Sequence, residues 1–325
     1  MSGSSISRRK FIRQSSAAVA AISATSFLPA CNTRQYMKND KGMPLRNFGK
    51  TGIQISILGY GCGSQFMIMP NGEWESSFQH AFEAGINFFD TSCNYGENEP
   101  VPSEARLGQI IPAIRRDIIL QTKLAERDYD KALKQFERSL NRLKTDYVDL
   151  LMIHAVMGKD NLAEIEKGVY RAIRGLKEQK VVRSIGFSCH DDANRAKELI
   201  ENLEIDHVQL AMNATKYGEL AEIALPKAVE KGLGVVSMKV MRDIVTKGYA
   251  PGELLAYNWQ LPGVSTNVVA HNGLAPLAEN IAIAKDYGKD KLTLANPEKL
   301  ESQLAQYANS ESLVWAGPGY YDGMV

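Results

Sequence analysis

The sequence predicts an α/β chain closed into an eight-stranded parallel barrel, (β/α)8, and three observations carry that prediction. From Met43 onward, short apolar runs alternate with longer amphipathic ones. The short runs are rich in Val, Ile and Leu without strict polar alternation, as expected of parallel strands buried on both faces. No Gly-x-Gly-x-x-Gly follows the first run, which argues against an open, doubly wound sheet. Gly59-Tyr60-Gly61-Cys62-Gly63 supplies the glycines, but no helix begins directly behind them.

The eight expected strands are Ile55–Gly61, Asn87–Ser92, Ile118–Leu124, Val148–Ala155, Ser184–Cys189, His207–Asn213, Gly234–Met241 and Thr266–His271. Helical patterns lie between them at Glu73–Ala84, Asp130–Leu143, Ala163–Glu178, Ala193–Leu203 and Leu220–Lys231. In the second of these, Leu133, Phe136, Leu140 and Leu143 recur at helical spacing, with charged residues falling between. A length of 325 residues admits two small domains or one large one; strand-plus-helix units in series, with no linker or low-complexity tract, favour one barrel.

The formal charge of +1 is unevenly placed. Arg8, Arg9, Lys10 and Arg13 lie in the first thirty residues with no acid beside them, so the remainder carries −3. A slightly acidic body offers no electrostatic footprint for nucleic acid. The four cysteines, Cys31, Cys62, Cys93 and Cys189, form no CxxC pair and no cluster at metal spacing. Cys62 and Cys93 are expected as small buried thiols.

The N-terminus reads as an address. A basic Ser7-Arg8-Arg9-Lys10-Phe11-Ile12 is followed by an apolar run from Ala17 to Leu28 and then Leu28-Pro29-Ala30-Cys31. Basic, apolar and small residues in that order make a signal peptide, and the run is too short for a permanent transmembrane helix. The paired arginines resemble a twin-arginine signal, whose export machinery carries folded proteins. The Cys31 segment resembles a lipoprotein cleavage box, although Pro29 departs from the usual residue there. Arg- and Ser-rich organelle transit peptides share part of this pattern; the order of arginines, apolar run and cysteine favours export to the periplasm or to the non-cytoplasmic side of a membrane, with a lipid at Cys31. The chain thus divides into a signal over 1–30, a linker over 31–42 and a barrel with a C-terminal tail over 43–325.

In such a barrel the chemistry sits at the C-terminal ends of the strands. Asp90 ends the second strand, Lys123 the third and His154 the fourth, with Tyr95 in the loop past Asp90. Singly, an Asp caps a helix, a His is a satisfied structural group and a loop Tyr is packing. The Lys is harder to set aside, because an unpaired buried ammonium is costly. Together they suit the reduction of a carbonyl, which needs a hydride on carbon and a proton on oxygen. Lys123, held by Asp90, is expected to lower the Tyr95 pKa; Tyr95 is the general acid or base, and His154 orients the carbonyl. No GxSxG or HExxH competes.

Gly85-Ile86-Asn87-Phe88-Phe89-Asp90-Thr91, Asn94-Tyr95-Gly96, Glu104…Leu107-Gly108, Thr122-Lys123, Ser139-Leu140-Asn141-Arg142-Leu143 and Asp146-Tyr147-Val148-Asp149-Leu150 leading to His154 resemble the aldo/keto reductase superfamily from about Leu45 to Tyr287. The resemblance implies a catalytic tetrad of Asp90, Tyr95, Lys123 and His154 and a nicotinamide cofactor. Ser188 and Gln209 resemble contacts to the carboxamide, with Cys189 where the family has Asn and Cys62 where it often has Thr. Met238 replaces a stacking Tyr, and Lys239 and Arg242 stand where they reach the pyrophosphate, although solvated loop charges would look the same. Glu279 and Asn280 resemble adenosine contacts. His271-Asn272-Gly273-Leu274 lacks the usual cation for a 2′-phosphate, so NADP is placed only narrowly ahead of NAD. Trp315, Tyr320 and Tyr321 either line the pocket or pack on the barrel wall. The expected substrate is an aldehyde, ketone or keto-sugar. The rival function is an anchored nucleotide-binding or regulatory subunit with little turnover; a barrel hydrolase lacks an assignable carboxylate pair.

Overall fold

A computed structural model of the protein describes residues 37–287, 294–317, 319–320 and 322–323. The N-terminal signal, Cys31 and Tyr321 lie outside the described residues. Eleven described strands form two sheets. The first is antiparallel and joins β1 (Met37–Lys38), β2 (Pro44–Asn47) and β3 (Gln54–Ser56). The second is the expected barrel: β4 (Leu58–Gly61), β5 (Phe88–Asp90), β6 (Ile119–Leu124), β7 (Val148–Val156), β8 (Val182–Cys189), β9 (His207–Ala211), β10 (Gly234–Met238) and β11 (Val264–Val269). Each strand is hydrogen-bonded in parallel to the next, and β11 closes on β4 through Asn267 opposite Leu58. Helices Glu73–Glu83, Tyr129–Leu143, Arg171–Glu178, Ala193–Asn202, Leu220–Lys231, Pro251–Gln260 and Leu274–Asp286 alternate with the strands. Among the described residues no helix is long and apolar enough to cross a membrane.

The expected first strand divides in two. Pro44–Asn47 and Gln54–Ser56 form a hairpin whose turn uses left-handed glycines, Gly49 at φ 53° and Gly52 at φ 76°. The barrel strand then starts at Leu58, after the Asn87 side chain has bound both Ser56 N–H (2.8 Å) and Gln54 C=O (3.0 Å). This hairpin seals the end of the barrel where the strands begin. Phe48 at its tip is fully buried, 5.6 Å ring-to-ring from His207, and Lys50 N–H donates to Gly232 C=O at 2.9 Å. A Cβ on Gly49 would lie 2.3 Å from Gly234 N, so only glycine lets the turn close on the barrel floor. His207 is buried without a described polar partner, and burial pushes its imidazole down to about 3, so it is a neutral plug.

A second difference lies in the expected helix 163–178. It is broken into Leu162–Ile165, a wide turn over Glu166–Tyr170 and Arg171–Glu178. Gly168 leaves helical geometry there (ψ −110°), and its absent side chain makes room for Arg127 C=O, which would lie 2.0 Å from a Cβ and accepts from Val169 N–H at 2.8 Å. The seventh barrel strand ends at Met238 rather than Met241, because Lys239 takes a left-handed φ of 59° and turns the chain across the barrel mouth. With the floor closed, the end where the strands finish is left to house polar chemistry.

Candidate active site

Strand alternation selects what faces the axis. On β6, Leu120, Thr122 and Leu124 face one way; Gln121 and Lys123 face the other, toward Asp90. Asp90 is the last residue of β5, in register with Gln121. Its Oδ1 accepts from Lys123 Nζ at 2.6 Å and from Gln121 Nε2 at 2.5 Å. Lys123 has no exposed surface and donates also to Thr91 C=O (2.9 Å) and Tyr95 Oη (3.1 Å). The ammonium therefore has three neighbours in the geometry a tetrahedral donor needs. Behind it, Thr122 Oγ1 donates to Glu104 at 2.7 Å, and burial raises that carboxyl above the ordinary range.

Tyr95 reaches Lys123 from a turn in which its N–H donates to Ser92 C=O and its C=O accepts from Ser103 N–H. His154 comes from β7, its Nδ1 3.0 Å from Ser92 Oγ. Asp90, Tyr95, Lys123 and His154 thus converge on one rim, as expected from their strand positions. Burial pushes the His154 pKa down to about 4, so its ring is neutral at physiological pH.

The contact that sequence reasoning missed comes from the tail. Asp322 Oδ2 accepts from Tyr95 Oη at 2.7 Å and lies 3.3 Å from His154 Nε2. Its Oδ1 accepts from Lys239 Nζ at 2.6 Å and from Tyr320 Oη at 3.0 Å. An acceptor on the Nε2 side places the imidazole proton on Nε2. Burial opposes the charge on Asp322, but Lys239 and the imidazoles outweigh it and hold the carboxyl well below its usual range. The Tyr95 phenol is held above its ordinary value, first by burial and then by the Asp322 and Asp90 carboxylates. The expected lowering of this pKa is not the net outcome in this arrangement: burial first, and then the two facing carboxylates, hold the phenol up. The signal for Asp322 was faint. It is the single charged residue after Glu311, in a tail otherwise made of aromatics, glycines and aliphatics.

A cleft of about 390 Å³ opens beside this cluster and runs from Gln209 past Met238 and Arg242 to Glu279 and Asn280. Gln209 sits at its inner end, accepting from Gln121 at 2.6 Å and donating to Met238 Sδ at 3.4 Å. Lys239 is turned to the tail, and Arg242 NH1 reaches Ser64 Oγ (3.3 Å) and Tyr320 Oη (3.2 Å). At the outer end Asn280 Nδ2 lies 3.0 Å from His271 Nε2; with that nitrogen accepting, the ring proton is on Nδ1, which has no described partner, and neither has Asn280 Oδ1. Burial pushes His271 down to about 4, so it brings no positive charge. Glu279 is exposed on the cleft wall. Ser188 and Cys189 are not among its lining residues: Ser188 Oγ accepts from Ala155 N–H at 2.8 Å, and the buried Cys189 thiol lies 3.4 Å from Asp192 C=O. Cys62 and Cys93 are buried free thiols. Of the tail aromatics, Tyr320 borders the site, whereas Trp315 is buried with its ring 5.5 Å from Tyr217.

Residues 70–249 match the aldo/keto reductase family. The chain belongs to that family. It is 27% identical over 291 residues to L-galactose dehydrogenase from Arabidopsis thaliana, covering 83% of this chain and 89% of the relative. An aldo-keto reductase from Mycobacterium sp. (strain MCS) is 30% identical over 267 residues, covering 78% and 84%. Methylglyoxal reductase DkgA from Escherichia coli (strain K12) is 27% identical over 262 residues, covering 72% and 90%. The holo form of aldo-keto reductase AKR11C1 from Bacillus halodurans superposes with a TM-score of 0.66 at 20% identity over 81% of this chain and 96% of that one, a likeness of fold. This aldo/keto reductase is therefore an oxidoreductase of the carbonyl/alcohol class, and its family supports a nicotinamide cofactor.

Because the Asp322 carboxylate opposes the effect of burial on His154, Asp322→Asn is expected to lower the His154 pKa further, by about one unit. Imidazole NMR titration of native and variant protein checks the sign; an upward or absent shift would show that the tail carboxylate is not seated at His154 in solution.

Proposed function

We propose that the protein reduces an aldehyde, ketone or keto-sugar to the alcohol, or runs the reverse oxidation, with Tyr95 as general acid or base. The observation that carries this reading is the chain Asp90–Lys123–Tyr95, with His154 Nε2 facing the same point 3.3 Å from the tail carboxylate. The oxygen now seated there belongs to Asp322; a substrate carbonyl oxygen in its place would accept from Tyr95 Oη and His154 Nε2 together. Two donors on one oxygen stabilise the negative charge that develops as the carbonyl carbon is reduced. Tyr95 transfers its proton, and the phenolate left behind sits 3.1 Å from the Lys123 ammonium, which Asp90 holds in place. With the tail carboxylate displaced, the field that raises the Tyr95 pKa is reduced, so the effect of Lys123 gains weight.

The residues of the cleft fit a nicotinamide dinucleotide. Gln209 and the Met238 thioether offer a polar edge and an apolar face for a flat ring, Arg242 offers a cation for a phosphate, and Asn280 Oδ1 and His271 Nδ1 are unpartnered polar atoms at the far end. When bound, the dinucleotide supplies or accepts the hydride. NADP is proposed on the strength of the Arg242 cation, with NAD favoured by the neutrality of His271. Ser188, in register with Gln209 on the neighbouring strand, keeps its own O–H free to donate.

The substitution Tyr95→Phe is expected to lower kcat about a thousand-fold while dinucleotide binding, followed by fluorescence titration, is kept. Equal turnover in the variant would remove Tyr95 from the chemistry. Tighter binding of NADPH than NADH supports the assigned cofactor, and the opposite order reassigns it to NAD.

We propose further that segment 1–30 directs export by the twin-arginine route and that Cys31 carries a lipid, which would place the barrel in the periplasm or anchor it on the non-cytoplasmic face. The paired Arg8-Arg9 ahead of an apolar run supports this. Replacing both by Lys is expected to hold the protein in the cytoplasm on cell fractionation; an unchanged distribution would contradict the route.

A further inference from the structure

The site holds a carboxylate already, and its two oxygens are sorted. Asp322 Oδ2 is bound by Tyr95 and lies against His154, the pair proposed to grip a carbonyl oxygen. Asp322 Oδ1 is bound by Lys239 and Tyr320. Lys239 is itself buried, its side chain 8% exposed, and Asp322 is its salt-bridge partner among the described residues. The other charges facing the site are committed elsewhere. Lys123 is paired with Asp90, and Arg242 is directed at the hydroxyls of Ser64 and Tyr320. His190 is neutral at physiological pH, as burial lowers its pKa, and its Nε2 has no hydrogen-bond partner, lying 3.7 Å from Asp322.

A substrate must displace Asp322 to reach Tyr95. A neutral molecule doing so would strand the Lys239 ammonium in a buried place without a counter-ion, which is strongly unfavourable. An anion that brings its own carboxylate to Lys239 exchanges like for like. Two oxygens, one for Tyr95 and His154 and one for Lys239, are what a 2-oxo carboxylate presents: its carbonyl oxygen and the near carboxylate oxygen lie side by side in one plane, somewhat farther apart than the two oxygens of Asp322.

We propose that the substrate class of this site is a 2-oxo carboxylate or its 2-hydroxy counterpart, with Lys239 as the residue that selects the carboxylate. The inference rests on the proposed reductase function and deepens it. In the reductive direction the carbonyl carbon gains a hydride from the reduced dinucleotide, the C=O π pair takes the Tyr95 proton, and a 2-hydroxy carboxylate leaves with its carboxylate unchanged. The dinucleotide ends oxidised, and Tyr95 regains a proton from water. Lys239, which by sequence stood as a pyrophosphate contact, becomes a specificity residue.

The test has a binding arm that needs no dinucleotide. Oxamate, a non-reducible analogue carrying one carboxylate, and its neutral counterpart oxamide are titrated calorimetrically into the native protein, Asp322→Asn and Asp322→Asn/Lys239→Met. Removing the tail carboxylate is expected to tighten both ligands while oxamate stays about ten-fold tighter than oxamide, and adding Lys239→Met is expected to abolish that preference. Equal affinity for oxamate and oxamide in Asp322→Asn, or a preference for oxamate that survives Lys239→Met, overturns the proposal. Lys239→Arg, which keeps the charge, is expected to retain the oxamate preference, so a misfolded Met variant does not decide the matter. In turnover, the kcat/KM ratio of pyruvate over methyl pyruvate is expected to fall about ten-fold in Lys239→Met. Reduction of methyl pyruvate with no preference for pyruvate would overturn the substrate class while sustaining the reductase. A Lys239→Met variant that loses dinucleotide affinity and keeps the ratio would return Lys239 to the cofactor phosphates and also overturn it.

Discussion

Lys123 has no exposed surface, so its charge depends on the oxygens that the barrel brings to it. Asp90 Oδ1 at 2.6 Å is the chief of these, and Thr91 C=O and Tyr95 Oη complete the set. Breaking such a buried pair by removing one partner costs about 3–5 kcal/mol, a large share of a domain's net stability. The pair is therefore a constraint on the whole mouth of the barrel. It demands that β5 and β6 stay in register, Asp90 opposite Gln121, and that the loop after β5 return its Tyr95 hydroxyl to within 3.1 Å of the ammonium. The closed floor, with Phe48 seated near His207, serves the same end by leaving the strands no freedom to slide at the opposite side.

Two cation–carboxylate pairs then divide the labour at the rim. Lys123–Asp90 is built from adjacent strands and is permanent. Lys239–Asp322 joins the end of β10 to a tail residue 83 positions later and involves a segment that no strand holds. One carboxylate oxygen of the second pair rests on the phenol that the first pair supports, so the occupancy of the site and the proton affinity of Tyr95 are coupled. With Asp322 seated, the phenol is held above its ordinary value and donates to that carboxylate.

Much of this arrangement was legible in the chain. The barrel follows from apolar runs in series, and the positions of Asp90, Lys123 and His154 follow from their place at the ends of those runs, because strand ends are where a barrel keeps its polar groups. The split of the first strand was not legible, since Ile55 to Gly61 is one apolar run; the division is imposed by the Asn87 side chain, thirty residues on, binding Ser56 and Gln54. The break at Gly168 depends on a carbonyl arriving from Arg127, and the seat of Asp322 on partners at positions 95, 154 and 239. These are long-range contacts, on which local periodicity carries no information. The lining of the cleft proposed for the cofactor was legible in part. Gln209, Met238, Lys239, Arg242, Glu279 and Asn280 line it, while Ser188 accepts from Ala155 N–H behind it.

The most direct measurement of the central claim is the fate of a labelled hydride. The purified protein is given a dinucleotide deuterated at the transferring carbon of its nicotinamide ring together with a carbonyl substrate, and the product is read by mass spectrometry and NMR. The account predicts deuterium on the carbon that bore the carbonyl oxygen and ordinary hydrogen from water on the oxygen. Product formed without deuterium at that carbon, or no product from any carbonyl compound in the presence of bound dinucleotide, would contradict it.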